Sequence, residues 1–417
     1  MAANLEQDKL KFEFPARLKQ ISLALIAVGL VLTVAQIFVP WHGQADHGEG
    51  SHNPRLFLSI LMAVLVFLPV AVGGIYFTAL HHASGAAWSV TVRRIAESYF
   101  WFLPVILLAL IAVFFGLGDA YHHWVGKAES DHLIHWKAPY LNEAFFIGRN
   151  LVIVVLWILF GFLFWKKSTA QDNDGKVSHT KSMIKWSAGF LVLFGLTFSV
   201  SSWDLSMSLE PHWFSTMWAV YIFAGLALTT FASLILWVNY LKGRGLLGDA
   251  VNENHIHDLG KYLWGHTIFW AYIGICQYLL IWYAHIPEET YFYNNRLFTG
   301  DMSYNAWAWV SVLLLVVRFF IPFFALLKRE NKRNIKFLSA IAWLVIVGQI
   351  VDMYWVAYPS LDVEGDTAHF VMFSWQELGP LLALGGAFIF VVGSALSRAN
   401  LVPVKDPKLE ECLHMHH

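Results

Sequence analysis

The sequence predicts an all-α integral membrane protein with ten transmembrane helices. Hydrophobic residues make up 57% of the 417 positions and charged residues only 14%, whereas soluble domains carry roughly 25% charged residues. The hydrophobic residues form ten stretches, and a helix needs roughly 20 such residues to cross a bilayer. These stretches are too long for transmembrane barrel strands, which have about 10 residues in an alternating pattern. The predicted helices are 20–40, 56–80, 98–118, 144–165, 186–204, 213–241, 259–284, 304–327, 336–358 and 376–396.

The basic residues predict how these helices are oriented. If the two terminal segments and the first turns of adjoining helices are included, 22 of the 28 Lys and Arg residues lie at alternate gaps between the helices. Because Lys and Arg accumulate in cytoplasmic loops, we expect both termini on the cytoplasmic side. The net charge of −1 argues against nucleic acid as a partner. The first stretch is expected to stay as a helix, since it is long and no cleavage site follows it.

A weak internal repeat divides the chain, which is otherwise expected to be one polytopic membrane domain over residues 1–417. Asp204 ends the fifth predicted helix, and Asp352 lies near the same end of the ninth. Glu97 and Asp258 mark the beginnings of the third and seventh helices. We therefore predict two parallel four-helix bundles flanked by helices one and ten; a chance likeness of acidic helix ends is the alternative. The bundles would comprise helices two to five (55–205) and helices six to nine (206–360).

Cysteine and histidine positions exclude most redox cofactors from this chain. Cys276 and Cys412 are its only cysteines, too few for an iron–sulfur cluster or for covalent c-type haem. Of the histidines, only His266 lies clearly inside a predicted helix, so a haem held by two histidines is not expected. We expect no metal site and no catalytic residue here, and any redox centre that the chain serves is expected to be non-covalent or to belong to another subunit.

Three charged residues interrupt the apolar stretches. Asp352 lies well inside the ninth predicted helix, Arg149 about one and a half turns into the fourth, and Arg318 some 14 residues into the eighth. Charges inside a membrane are costly and usually face a bundle interior or a wet cavity. Asp352 is therefore a candidate proton carrier. Arg149 is a candidate partner of Asp204 or Asp352, and either arginine is a candidate contact for a quinone or an anionic headgroup, with snorkelling to the interface as the alternative.

Polar residues also gather in the short turn between the fifth and sixth predicted helices. Asp204 and His212 are candidates for proton release or for contact with a quinone headgroup. Glu210 is a candidate charge partner, although beside Pro211 it is also well placed to cap the sixth helix.

On the other side of the membrane, Glu97, Asp258 and His266 are candidates for proton uptake. Asp258 and His266 are eight residues apart, which places them near one helix face. For Glu97, pairing with Arg93 or Arg94 is the alternative, and for His266 it is a hydrogen bond to a neighbouring helix.

Several strings together resemble one protein family. They are AAWS at 86–89, RRIAE at 93–97, MSLEPHWFST at 207–216, HDLGK at 257–261, FWAY at 269–272, QYLLIWYA at 277–284 and VDMYW at 351–355. Over nearly the whole length, the chain resembles the ActF membrane proteins of alternative complex III, within the NrfD/PsrC-like membrane protein superfamily. Members of that family belong to bacterial quinol:acceptor oxidoreductases.

The resemblance implies a bacterial inner membrane protein with two four-helix bundles and both termini inside. It also implies menaquinol or ubiquinol oxidation in the complex, with haem and iron–sulfur clusters confined to partner proteins. The implied partners are a sister NrfD-like membrane protein of the same complex, c-type cytochrome subunits, a terminal oxidase, lipid and an iron–sulfur subunit. The positions carried over lie within or beside the matching strings and are Asp204, Glu210, His212, Asp258, His266 and Asp352.

Three functions remain open on the sequence alone. The first is a proton pathway that takes up protons near Glu97, Asp258 and His266 and releases them near Asp204, His212 and Asp352. The second is a purely structural anchor for the redox proteins on the outer side. The third is a secondary transporter, which the absence of obviously broken helices disfavours.

Overall fold

The structure, a computed structural model, describes residues 7–39, 53–298, 303–361 and 370–415. It is 80% helical, and the described ranges contain no β-strand. Ten of the described helices are long and apolar enough to span a membrane, which confirms the all-α class and the predicted number. They are α1 (Ala16–Phe38), α2 (Pro54–Ala83), α3 (Val90–Phe115), α4 (Glu143–Asp174), α5 (Val177–Leu205), α6 (Trp218–Gly243), α7 (Glu253–Ala284), α8 (Ala306–Ala325), α9 (Ile335–Ala357) and α10 (Trp375–Leu396).

Several helices extend well beyond their apolar stretches. The basic segment 166–185, expected to be a loop, is helical except for a short link between α4 and α5. Gly175 closes α4 in that link with a φ of 67°, a left-handed conformation that glycine adopts without strain. α3 and α7 likewise begin six to eight residues before the predicted positions 98 and 259. Hydropathy marks only the apolar part of a helix, and polar end turns continue the same hydrogen-bond ladder.

The sixth helix departs from its prediction in the opposite sense. It begins at Trp218 rather than at residue 213, so Glu210 and Pro211 lie in the preceding link. The interpretation of Glu210 as a cap of this helix is therefore wrong.

The ends of the helices define two faces of the molecule. The N-terminal and C-terminal segments lie together, because the Leu401 N–H donates to the Leu10 carbonyl at 2.8 Å. The C-terminal segment also reaches the start of α7, where Asn254 Nδ2 donates to the Met415 carbonyl at 3.0 Å. We call this end the terminal face and the other end the opposite face. That the terminal face is cytoplasmic stays a prediction.

α2 and α6 lie at the centre of the helix packing. α2 contacts α3, α5, α6, α9 and α10, and α6 contacts α2, α5, α7 and α9. In the outer positions, α4 packs between α3 and α5, and α8 packs between α7 and α9. Each charged residue on α7, α8 or α9 that points inward therefore faces other protein helices.

α1 packs mainly against α10. Small residues make this contact possible: a Cβ atom on Gly29 would lie 2.2 Å from the Ala383 nitrogen, and one on Gly379 2.9 Å from that of Thr33. Such close approach is typical of small-residue stripes in membranes. The small residues of α10 thus serve packing within this chain.

Candidate functional site

Four helices contribute side chains to a buried cluster around Asp352. We call Asp352 of α9, Arg318 of α8, Tyr221 of α6 and Trp270 of α7 the Asp352 cluster. Tyr221 donates its hydroxyl to Asp352 Oδ1 at 2.5 Å, and Trp270 Nε1 donates to Oδ2 at 3.2 Å. Arg318 Nη1 forms an ion pair with the same Oδ2. Asp352 and Arg318 are 1% and 0% exposed, so the pair is sealed from both lipid and bulk water.

Local backbone geometry directs Arg318 into this cluster. It lies in a single π-helical turn, Val316–Phe320, within α8. Pro322 follows, and since proline has no N–H, the Arg318 carbonyl loses its usual donor four residues later. Such π-helical turns are frequent at functional sites.

Glycine on the neighbouring helix makes room for the arginine. A Cβ atom on Gly348 of α9 would lie 2.5 Å from Arg318 Cγ. On its other side, the guanidinium carbon lies 4.6 Å from the centroid of the Trp270 ring, a favourable cation–π distance. The arginine is therefore held by shape as well as by charge.

The hydrogen-bonding capacity of the Asp352 cluster is only partly used. Among the residues that the structure describes, Nε and Nη2 of Arg318 have no hydrogen-bond partner, and neither has the nearby Oε1 of Gln349. A hypothetical Cβ on Gly225 would be 3.2 Å from that oxygen and 3.6 Å from Arg318 Nη2, so the two unused groups border the same small space. The arginine thus has donors free for another acceptor if the charge of Asp352 changes.

A ridge of α7 leads from this cluster towards the terminal face. Asp258, Tyr262, His266 and Trp270 follow one another at four-residue intervals, a spacing that brings neighbouring side chains together on a helix. At 1.5 Å per residue the ridge is about 18 Å long. We call these four residues the α7 ridge, and it includes both α7 residues that the sequence singled out.

Three contacts hold the side chains along the α7 ridge. His266 Nδ1 lies 2.8 Å from the Tyr262 carbonyl, so Nδ1 carries the proton and donates it, which leaves Nε2 as an acceptor. The His266 ring also stacks on Phe231, with centroids 5.0 Å apart. At the terminal end, Lys261 Nζ lies 2.5 Å from Asp258 Oδ1.

Glu97 belongs to a second buried cluster at the terminal face. Its carboxylate lies 3.1 Å from Arg94 Nε and 3.4 Å from Arg93 Nε, so the ion pairing that the spacing allowed is present. Arg94 also pairs with Asp172 at 3.0 Å, and Arg93 pairs with Asp406 of the C-terminal segment. We call these five residues the terminal-face ion cluster.

Asp204 lies in a fully bonded site at the opposite end of α5. Arg149 of α4 binds both carboxylate oxygens, Nε at 2.6 Å and Nη2 at 2.8 Å. Asn150 Nδ2 and the Tyr140 hydroxyl donate to the same two oxygens, each at 2.9 Å. Of the two partners open to Arg149, the structure selects Asp204. Four donors around one carboxylate fix it in place.

His212 and Glu210, the other polar candidates of this turn, lie in two separate pairs. His212 Nε2 lies 2.7 Å from Asp131 Oδ2, and the two side chains are 49% and 30% exposed. Asp131 Oδ1 caps the short helix His132–Lys137; the hydrogen bond from the Ile134 N–H is the main reason why the pKa of Asp131 is lowered. Glu210 Oε1 accepts from buried Arg296 at 2.6 Å.

Sequence reasoning missed two arginines in this region. Arg296 also donates to the Phe292 and Val356 carbonyls, and Arg55 makes a buried pair with Glu377 at 2.8 Å. Both are among the only four basic residues in the gaps predicted to be outside. The rarity of Lys and Arg in these outer gaps was the available signal for both residues.

Comparisons with known proteins add no identification. No family model matches the chain, and a search of curated proteins finds no match. Within the described ranges, no group of three or more His, Cys, Asp or Glu side chains is placed to hold a metal ion. The candidate site is therefore defined by geometry alone, as a buried Asp–Arg pair at one end of the α7 ridge.

Proposed function

We propose that this chain is a non-redox membrane component of a quinol:acceptor oxidoreductase of the alternative complex III type, and that α6–α9 carry a proton pathway through Asp352. The resemblance carried by the family strings supports the first part. Two of these strings, HDLGK and VDMYW, also contain Asp258 and Asp352, the residues on which the second part depends. In such a complex, haem and iron–sulfur clusters would reside in partner proteins, and menaquinol or ubiquinol would be the reductant.

Two four-helix bundles, α2–α5 and α6–α9, are part of the proposal. Within each group, successive helices are neighbours, and the first also packs against the fourth. The two Arg–Asp pairs support the same division. Arg149 and Asp204 join the third and fourth helices of one group, and Arg318 and Asp352 join those of the other.

The observation that carries the proton pathway is a buried carboxylate at the end of a ridge of proton-bearing side chains. A proton taken up at the terminal face would pass from Asp258 to Nε2 of His266 and then to Asp352, which would release it through water towards the opposite face. Transfers longer than a hydrogen bond require water between the groups. Protonated Asp352 attracts Arg318 much less strongly, and the unused N–H groups of the arginine then favour another acceptor. In surroundings of low dielectric, that change responds strongly to nearby charge.

Two measurements test the proposal. The first is purification of the chain from its own membranes followed by a haem and iron count. Co-purifying haem and iron are expected, and a preparation with neither would reject the complex. The second is the number of protons released per electron by the complex in liposomes. Asp352→Asn should lower this ratio.

A second variant keeps the liposome experiment decisive if Asp352→Asn assembles poorly. Arg318→Met/Asp352→Asn removes both charges and should assemble while still failing to pump. Asp249→Asn, the same change at an exposed position of the terminal face, is the matched control and should leave the ratio unchanged. An unchanged ratio in the assembled double variant would reject the pathway.

A structural anchor is the second candidate function, and the Asp204 site favours it. The four hydrogen bonds to its carboxylate run between α5 and the segment 140–150, so their effect is to fix these elements together. Asp204→Asn should reduce stability without changing turnover per assembled complex. If Asp352→Asn behaved in the same way, the anchor would be the better account of the whole chain.

A further inference from the structure

A cavity of about 450 Å³ lies between α6, α7, α8 and the short helix Pro287–Leu297, next to the Asp352 cluster. We propose that it binds one hydrocarbon chain of a membrane lipid. Binding itself does not depend on the proposed function. Eight of its 18 lining residues are aromatic, among them Trp218, Trp270, Tyr278, Tyr293 and Trp355.

Two polar side chains in the wall, Ser311 and Gln277, are already hydrogen-bonded to protein groups. Ser311 Oγ donates to the Trp307 carbonyl at 3.0 Å and accepts from Trp355 Nε1 at 2.8 Å. Gln277 Nε2 donates to Ser215 Oγ at 3.1 Å. A buried water needs two to four polar partners, and this wall offers few. Hydrocarbon, whose transfer out of water is favourable, fits the space better.

The cavity opens sideways between α7 and α8. Ile275 of α7 and Trp309 and Val312 of α8 line it and are 39%, 71% and 51% exposed. Both helices are apolar enough to span a membrane. The opening therefore faces the region where lipid chains would lie, and a chain can enter without crossing water.

The depth of the cavity matches one leaflet. On α7 it extends from Trp270 to Tyr278, eight residues or about 12 Å at 1.5 Å per residue. Half of a hydrocarbon core about 30 Å thick is about 15 Å. Tyr304, just before α8 begins, lines the rim and is 73% exposed. A lipid with its polar end near Tyr304 would thus place its chain in the cavity.

The inner end of the cavity touches the two neutral donors to Asp352. Tyr221 and Trp270 both line the wall and both donate to its carboxylate. A bound chain would pack against these rings and keep water away from that side of Asp352. If the proposed proton pathway holds, this directs water to the α7 ridge instead.

Photo-crosslinking in lipid nanodiscs tests the inference. The purified protein is embedded in phosphatidylcholine that carries a diazirine in one acyl chain, and crosslinked residues are mapped by mass spectrometry. A parallel sample contains an isoprenoid quinone with a diazirine in its tail, which distinguishes the two sources of a hydrocarbon chain. Crosslinks to Trp270, Gly274 or Tyr278 from either probe support the proposal.

Variants that fill the cavity provide the decisive comparison. Gly274 lies on its wall, and a Cβ there would be 3.3 Å from the Tyr221 ring, so Gly274→Leu should abolish the cavity crosslinks. Ala308→Phe fills it from α8. Gly265→Leu is the matched control on α7, because the space around Gly265 is open. The proposal would be overturned if the unmodified protein gave no cavity crosslinks. It would also be overturned if the cavity-filling variants gave as many as the unmodified protein and the control.

Discussion

The Arg318–Asp352 pair should show a strong energetic coupling between its two members. We consider Arg318→Met, Asp352→Asn and the double variant. In Arg318→Met, the carboxylate keeps only the Tyr221 and Trp270 donors. In Asp352→Asn, Arg318 loses its charged acceptor, and two of its nitrogens already have no partner among the described residues. Each single variant therefore leaves one buried charge without compensation.

The expected magnitudes follow from that imbalance. Removal of one partner from a buried ion pair costs about 3–5 kcal/mol, whereas replacement of both by neutral groups is often nearly neutral. The two single variants should thus sum to roughly 6–10 kcal/mol, while the double variant should cost no more than either single one. The coupling energy is then expected to be about 3 kcal/mol or more.

Unfolding in mixed micelles of a mild detergent and dodecyl sulfate measures these differences. The intrinsic fluorescence of tryptophan reports the transition, and Trp270 is itself part of the cluster. Gly265→Ala, at an open position on α7, gives the baseline for a change without charge. Additive losses in the double variant would show that the two residues do not stabilise each other, and the geometric basis of the candidate site would be wrong.

Three further predictions concern packing, hydrogen bonding and reactivity. Gly348→Ala places a Cβ 2.5 Å from Arg318 Cγ and should cost about 1–3 kcal/mol in the same unfolding assay; a neutral result would mean that α8 and α9 are not so close. Tyr140→Phe removes one of four hydrogen bonds to Asp204, so a loss of about 1.5–3 kcal/mol is expected, and a gain would contradict the account of that site. Burial raises the pKa of the Cys412 thiol, which lowers its thiolate fraction at a given pH. Maleimide labelling of Cys412 at pH ~8 should therefore be slower in the folded than in the unfolded protein. Equal labelling rates in the folded and unfolded protein would show that Cys412 is not buried.

The number of helices could be predicted from the sequence, but their ends could not. Apolar stretches of about 20 residues identify a membrane span by composition alone. The helical segments that continue from α4 and into α5 are basic and polar, and hydropathy does not distinguish such turns from loops. The late start of α6 has a different origin, because Trp213 packs on Phe292 with ring centroids 3.9 Å apart, and this tertiary contact suits an irregular link.

The charged members of the site could be predicted, but most of their partners could not. Asp352 and Arg318 are conspicuous because charges are rare inside apolar stretches. Their mutual pairing depends on which helices are neighbours, and sequence order does not fix this. Tyr221 carried no signal, and Trp270 stood out only as part of the FWAY string, since the chain has 15 Tyr and 20 Trp and aromatic residues are common in membrane helices for other reasons.

The two Arg–Asp pairs differ in a way that bears on function. Arg149 binds Asp204 through two nitrogens, and two neutral donors complete the coordination of the carboxylate. Arg318 binds Asp352 through one nitrogen, and its other donors are unused within the described residues. A bidentate, fully bonded pair changes little when its surroundings change, because every alternative arrangement loses hydrogen bonds.

A pair with spare donors in a low-dielectric site responds differently. If Asp352 takes up a proton, Arg318 loses most of its electrostatic attraction but still has N–H groups available for Gln349 or for water. The cost of rearrangement is correspondingly smaller than at Asp204. Two pairs that each join consecutive helices can therefore serve different purposes: the Asp204 pair fixes α4 to α5, and the Asp352 pair is the one whose geometry permits a response to charge.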